Sequence, residues 1–361
     1  MSDSNPSPGL QLTSLPLEVL HLIAQSYIDS LGAHNVTSLL CTSTLFRDLF
    51  LPKLYTSIHI SSLDQLSRFI HPTSGAHAYA PRYTLSSLTI NIPGVPGGGD
   101  PTSTVAAKQR WRDRLLLASQ ALTLCCNVSI RHSEIFTSDV VRAHEARVFG
   151  EAVRGLGRVR RFRWVPPRRD ANAIRGLSIV VVDQVVGSLS RGLVGCGQLE
   201  TLELWNMMLP DDGGAELARA LIQLSDERAR QGSDLRLQVA LRSVTNLNPK
   251  SICDLALADP GIKVSIADGF VASIWGARVE RLAVEECMRD ALDSDGSVAS
   301  SGGDSSRRRS DSSNTSDESS IATSRATSPE LWIQQTLAKA SENVCLTVLQ
   351  GGIAGSQVLA D

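Results

Sequence analysis

The chain has 361 residues, enough for two or three folded pieces, and 42% hydrophobic with 20% charged residues places it among ordinary globular proteins. A formal net charge of -2 argues against whole-chain attraction to nucleic acid or to an anionic membrane, so only local basic patches stay in contention. Seven cysteines are scattered without a C-x-x-C pair, which points to free thiols in a cytoplasmic or nuclear protein rather than to a disulfide framework or a zinc site.

Residues 1–11 are polar and rich in Pro and Ser, a composition expected to stay disordered, and they lack the basic start and apolar run of a secretory signal. A compact helical segment is expected over residues 12–55. Pro16 suits the first helical position, where its missing N–H costs nothing, and Glu18 sits in the first turn, where the helix dipole favours an anion. Leu15, Val19, Leu22, Ile23 and Tyr27 recur at helical spacing. A second helix is expected through Val36, Leu39 and Leu40, and a third through Leu45, Phe46, Leu49 and Phe50 until Pro52 stops it. Three short helices cannot each bury a face alone, so they predict one small bundle.

Beyond Pro52 the grammar changes to alternating strand-like and helix-like runs. Strands are expected at 55–60, 87–92, 127–131, 159–165, 199–205, 235–241, 262–266 and 344–349. Helical patterns lie between them at 63–70, 105–124, 138–156, 178–193, 215–230, 249–258, 272–292 and 329–341. This alternation predicts an α/β array over 56–292 with a mostly parallel sheet, whose units are too small to stand without stacking on their neighbours. The most apolar internal stretch, 177–186, is interrupted by Asp183 and too short to span a bilayer. Residues 293–328 are dominated by Ser with almost no large apolar side chain, so a disordered insert is expected there, followed by a last helix–strand unit and tail at 329–361.

The run Leu15-Pro16-Leu17-Glu18-Val19-Leu20, followed by Ile23, Tyr27, Leu39, Cys41, Phe46-Arg47, Leu49 and Pro52-x-Leu54-Tyr55, resembles an F-box of the form common in fungal proteins. The opening and closing motifs carry this resemblance more than the helical periodicity does. It implies a three-helix bundle that docks on the Skp-type linker subunit of a cullin-based (SCF-type) ubiquitin ligase. By that resemblance Leu15, Pro16, Val19, Leu20 and Ile23 form the first contact stretch, and Leu39, Leu40, Phe46 and Leu49 the later one. Many members carry Trp where this chain has Phe46, a smaller ring. A helical cap whose apolar residues simply form core is the alternative reading of the same periodicity.

Leu199-x-x-Leu202-x-Leu204 with Leu209, Gly213, Leu217 and Leu221 is similar to one leucine-rich repeat. The family's Asn would fall at Met207, with Asn206 one position early, and the other strands repeat the pattern poorly. The resemblance therefore implies an irregular leucine-rich-repeat-like array that presents a face to a target protein; a non-repeating parallel α/β domain is the alternative.

The motifs of chemistry are missing. Residues 94–100 lack the Lys and hydroxyl of a phosphate-binding loop, and neither a nucleophile elbow nor a zinc-protease motif occurs. Cys125 and Cys126 with His132 and His144 read as a helix-to-strand junction rather than a metal site. Glu285, Glu286 and Asp290 stand beside Arg281 and Arg289, the pattern of a solvated face laced with ion pairs. The one dense basic and aromatic stretch holds Arg160, Arg161, Arg163 and Trp164 as candidate target-binding residues; a strand edge blunted by charge is the other reading. Ser310, after three arginines, and Ser328, before Pro329, are candidate phosphorylation sites. The expectation is a non-enzymatic substrate adaptor without cofactor, monomeric before assembly and binding neither nucleic acid nor membrane; a protein-interaction scaffold with no ligase link is the alternative.

Overall fold

The computed structural model describes residues 15–31, 40–41, 43–71, 85–92, 114–125, 132–136, 143–164, 180–181, 183–272, 276–300 and 329–347. They form a mixed α/β fold built on parallel strands. In chain order the strands are β1 (Ser57–Ile60), β2 (Ser87–Asn91), β3 (His132–Phe136), β4 (Arg161–Trp164), β5 (Val180–Val181), β6 (Thr201–Trp205), β7 (Met207–Met208), β8 (Leu237–Arg242), β9 (Ile262–Ala267) and β10 (Val344–Thr347). All but β5 and β7 belong to one eight-stranded sheet, in which every strand pairs in parallel with the next in the chain; β5 and β7 pair with each other.

The helices are α1 (Leu17–Leu31), α2 (Thr44–Leu54), α3 (Leu63–Ile70), α4 (Arg114–Cys125), α5 (Ala143–Arg154), α6 (Asp183–Leu193), α7 (Gly213–Arg230), α8 (Pro249–Ala258), α9 (Arg281–Ser300) and α10 (Pro329–Glu342). From α4 to α10 each helix packs on the one before it, so the helices follow the same sequential order as the strands. A chain that always adds its next parallel strand to the same sheet edge through crossovers of one hand lays its helices on one face.

Side-chain burial follows from that geometry. Leu202 and Leu204 on β6, Val239 and Leu241 on β8, and Val264 and Ile266 on β9 are buried in one core that runs from Ile60 to Val344. The alternate residues on the other face stay half-buried or exposed. The end of each strand here is marked by a left-handed residue: Asn206 (φ 49°), Ser243 (φ 51°) and Asp268 (φ 54°). Asn and Asp tolerate this region better than most residues. Each donates its backbone N–H to the last residue of the next strand: Arg242 (2.8 Å), Ala267 (2.7 Å) and Thr347 (3.2 Å).

Two local features lock the layers together. α5 and α6 approach closely because Gly150 faces the Ser188 backbone and Gly192 faces that of Gly150; a Cβ on Gly192 would stand 2.5 Å from the Gly150 carbonyl oxygen. At the end of α7, buried Arg228 donates to the carbonyl oxygens of Gly197 (2.9 Å) and Leu199, clamping the helix to the chain just before β6. Burial pulls the Arg228 pKa below its ordinary value, while Cys196, Glu200 and Asp259 push it back up. Arg281 and Glu285 on α9 meet Ser341 on α10, and these hydrogen bonds hold the Glu285 carboxyl below its usual pKa.

α1 and α2 stand on a small core of their own, Leu20, Ala24, Leu49 and Phe50, flanked by Leu15, Tyr27, Leu40, Leu45, Phe46 and Leu54. Phe50 meets Tyr27 and Phe46 edge-on, with ring centroids 6.0 and 6.3 Å apart. Lys53 donates to the Gln25 side chain across the pair at 2.9 Å.

Several elements differ from the sequence expectation. Pro52 lies inside α2, which continues to Leu54; so close to the helix end, the lost N–H and ring clash disturb only the last turn. The middle helix of the expected bundle lies mostly outside the described residues, with Leu40 alone seen in helical conformation. The third strand of the sheet is His132–Phe136, and 127–131 lie outside the described residues. Val180 and Val181, assigned to a helix by their apolar run, are a strand; two β-branched residues fit a pleated surface as well as a helix. α9 begins at Arg281 rather than 272, because Phe270 and Arg278 first form an antiparallel bridge. It then continues to Ser300, so 293–300 are helical where disorder was expected; residues 301–328, including Ser310 and Ser328, lie outside the described residues.

Candidate functional site

Two surfaces bring the candidate residues together. The first is on α1. Leu20 and Ala24 turn inward, and the positions three and four residues apart on an adjoining face, Pro16, Val19, Leu22 and Ile23, stay exposed as one apolar stripe. Leu22 is 71% exposed. A lone exposed leucine is ordinary, whereas a continuous stripe on a helix whose other face is already satisfied is not.

Of the residues aligned with linker binding, Pro16, Val19 and Ile23 are exposed and Leu15, Leu40 and Phe46 are half-buried. Leu39 lies outside the described residues. Leu20 and Leu49 are corrected: both are buried in the core of the pair and present nothing to a partner. Helical periodicity picks out the apolar face but cannot say which of its two flanks the neighbouring helix covers. Leu22 was in the periodic set and went unassigned as a contact.

The second surface is the open face of the sheet. Register aligns Arg161, Thr201, Gln238 and Lys263 in one row, Arg163, Glu203, Ala240 and Ser265 in the next, and Trp205, Arg242 and Ala267 in a third. Arg163 reaches Glu203 at 3.3 Å, and Arg161 reaches the same carboxylate at 3.9 Å. The Arg163 guanidinium lies 3.9 Å from the centre of the Trp205 ring, and that of Arg242 lies 4.7 Å from it. Since β4 and β8 flank β6, the indole is held between guanidiniums from two different strands.

Trp164 is a second correction. It is 1% exposed and packs against Phe149 in the core, with ring centroids 5.8 Å apart, so it contacts no target. Alternation along β4 decides this: Arg161 and Arg163 face out, and Phe162 and Trp164 face in. Arg160 precedes the strand and pairs with Glu200 at 3.4 Å, away from the three rows. The aromatic partner of the arginines is Trp205, and the third cation is Arg242, both missed from sequence. They lie 42 and 79 residues from Arg163 in the chain, and only the parallel register makes them neighbours.

Cys196 and Cys253 are buried in the core, and burial pushes both thiols up to about 12. Cys125 is likewise buried, and His144 is exposed on α5. Among the described residues no group of three or more His, Cys, Asp or Glu side chains is placed to hold a metal ion, and no helix is long and apolar enough to cross a membrane. No protein-family model matches the chain, and no curated protein matches its sequence.

Proposed function

We propose that this protein is a substrate adaptor of an SCF-type ubiquitin ligase, with α1 and α2 as parts of an F-box and the rest as an irregular leucine-rich-repeat-like array. The observation that carries the reading is the exposed stripe of Pro16, Val19, Leu22 and Ile23 on a helix pair that already has its own core. Such a pair gains nothing for its own stability from those side chains, and burying them against a partner removes apolar surface from water at about 25 cal/mol per Å². The Leu15-Pro16 opening and the Pro52-x-Leu54-Tyr55 close match the motif of the family in this same pair.

The array reading is supported by the sequential order of strands and helices and by the burial of Leu199, Leu202, Leu204, Leu209, Leu217 and Leu221 in the common core. Met207, at the position of the repeat's Asn, is fully buried, and its carbonyl oxygen accepts from Thr245 N–H at 3.0 Å. One unit further on, the Asn246 side chain donates to the Leu209 carbonyl oxygen at 3.0 Å. The catalytic steps of ubiquitin transfer then belong to other subunits, and this chain contributes geometry.

Co-purification of the linker subunit with the full chain tests the reading. The wild type is expected to retain it, and Val19→Asp with Ile23→Asp to lose it while the circular dichroism spectrum stays unchanged. A wild type that retains none, or a folded variant that retains as much, overturns it.

A further inference from the structure

The open face is not electrically uniform. From β4 to β9 the register places four cations on it, Arg161, Arg163, Arg242 and Lys263, against one carboxylate, Glu203. Glu203 takes up both arginines of β4. The two remaining cations, Arg242 on β8 and Lys263 on β9, have Trp205, Ala267 and Gln238 as register neighbours, none of them a carboxylate. Between Arg242 and Lys263 the floor of the face is built from small residues, Ala240, Ser265 and Ala267, which leave room above the sheet. Arg242 is held against Trp205, so less side-chain freedom is lost when its N–H edges engage an anion.

From this arrangement we infer that the β8–β9 part of the open face binds an extended acidic segment of another protein, with Arg242 and Lys263 each taking one oxyanion. Lys263 is the register partner of Gln238, four positions before Arg242, so the two cations are set about 13 Å apart along the strands. That separation suits acidic side chains about four residues apart on an extended chain and is too long for a single small anion. Charge complementarity chooses the occupant, and the small-residue floor admits a main chain lying along the strands. The inference deepens the adaptor reading by naming the chemistry of its target, and rests on that reading only for the statement that the bound segment belongs to a ubiquitination substrate.

Fluorescence anisotropy with the full chain tests it, using extended peptides that carry glutamate, phosphoserine or glutamine at every fourth position. The glutamate or the phosphoserine peptide is expected to bind and the glutamine peptide not to; the two acidic arms separate carboxylate from phosphate as the natural oxyanion. Arg242→Gln is expected to weaken binding about tenfold, since charge-assisted hydrogen bonds are worth roughly 1.4 kcal/mol or more. Lys263→Gln is expected to weaken it further in the double variant, and Arg219→Gln, exposed on the helix layer, to change nothing. No binding of either acidic peptide, equal binding by the double variant, or tighter binding of a single-stranded oligonucleotide of equal charge overturns the inference. Capture of the linker subunit by the same variants is read separately: Arg242→Gln leaves it intact, so failure of the adaptor reading and failure of this one give different results.

Discussion

Arg228 shows how one side chain fixes the relation of a helix to the sheet. Its guanidinium is almost fully buried and donates to two carbonyl oxygens of the segment that leads into β6. Arg228→Met keeps the bulk and removes both bonds, leaving two buried acceptors unsatisfied. A loss of about 3 kcal/mol in unfolding free energy is expected from urea denaturation. A change under about 1 kcal/mol would mean that water or backbone shifts replace the clamp. The thiols give a second measurement at this scale. Cys196 and Cys253, with pKa values pushed up to about 12, carry almost no thiolate between neutral pH and about pH 9, whereas Cys41 and Cys345 are exposed. Alkylation of the native protein is expected to mark Cys41 and Cys345 rapidly, and Cys196 and Cys253 only on unfolding; mass spectrometry distinguishes them.

Among elements, α5 and α6 make the sharpest case, because propensity and packing there predict opposite signs. Replacing Gly by Ala inside a helix ordinarily stabilises by about 0.5–1 kcal/mol. At Gly150 the added Cβ would collide with the Ser188 carbonyl, and backbone cannot swing aside as a long side chain would. Gly150→Ala is therefore expected to destabilise by about 2 kcal/mol, read as a lower thermal midpoint. A raised midpoint would show that the two helices separate without cost. The legibility of elements followed the same division between local and tertiary causes. Helices with an amphipathic run and a capping residue, such as α8 behind Asn248 and Pro249, stood within a residue of expectation. The conversion of Val180–Val181 to a strand and the late start of α9 did not, since pairing with β7 and the Phe270–Arg278 bridge are decided by residues far along the chain or across a turn.

For the whole molecule, alternation of strand and helix patterns was sufficient to anticipate a parallel sheet, because parallel strands require a crossover between them. What it could not supply was which strand rows face away from the helices. The candidate site suffered most from that. Arg161 and Arg163 were visible as a basic run, but their partners Glu203, Trp205 and Arg242 come from β6 and β8, and the adjacent Trp164 belongs to the core. The apolar positions of α1 were legible from their spacing, and the division between inward Leu20 and outward Leu22 waited on the packing of α2. Both surfaces thus depend on the assembled chain: the stripe on α1 is set by the packing of α2, and the rows of the open face are set by the register of strands far apart in sequence.

The account depends above all on the stripe. Titration of the purified full chain with the purified Skp-type linker subunit, followed by calorimetry, measures it directly. Saturable one-to-one binding is predicted, weakened at least about tenfold by Leu22→Asp and unaffected by Leu282→Asp, an equally exposed leucine on α9. Absence of binding, or equal weakening by both substitutions, would contradict the claim that α1 carries the docking surface.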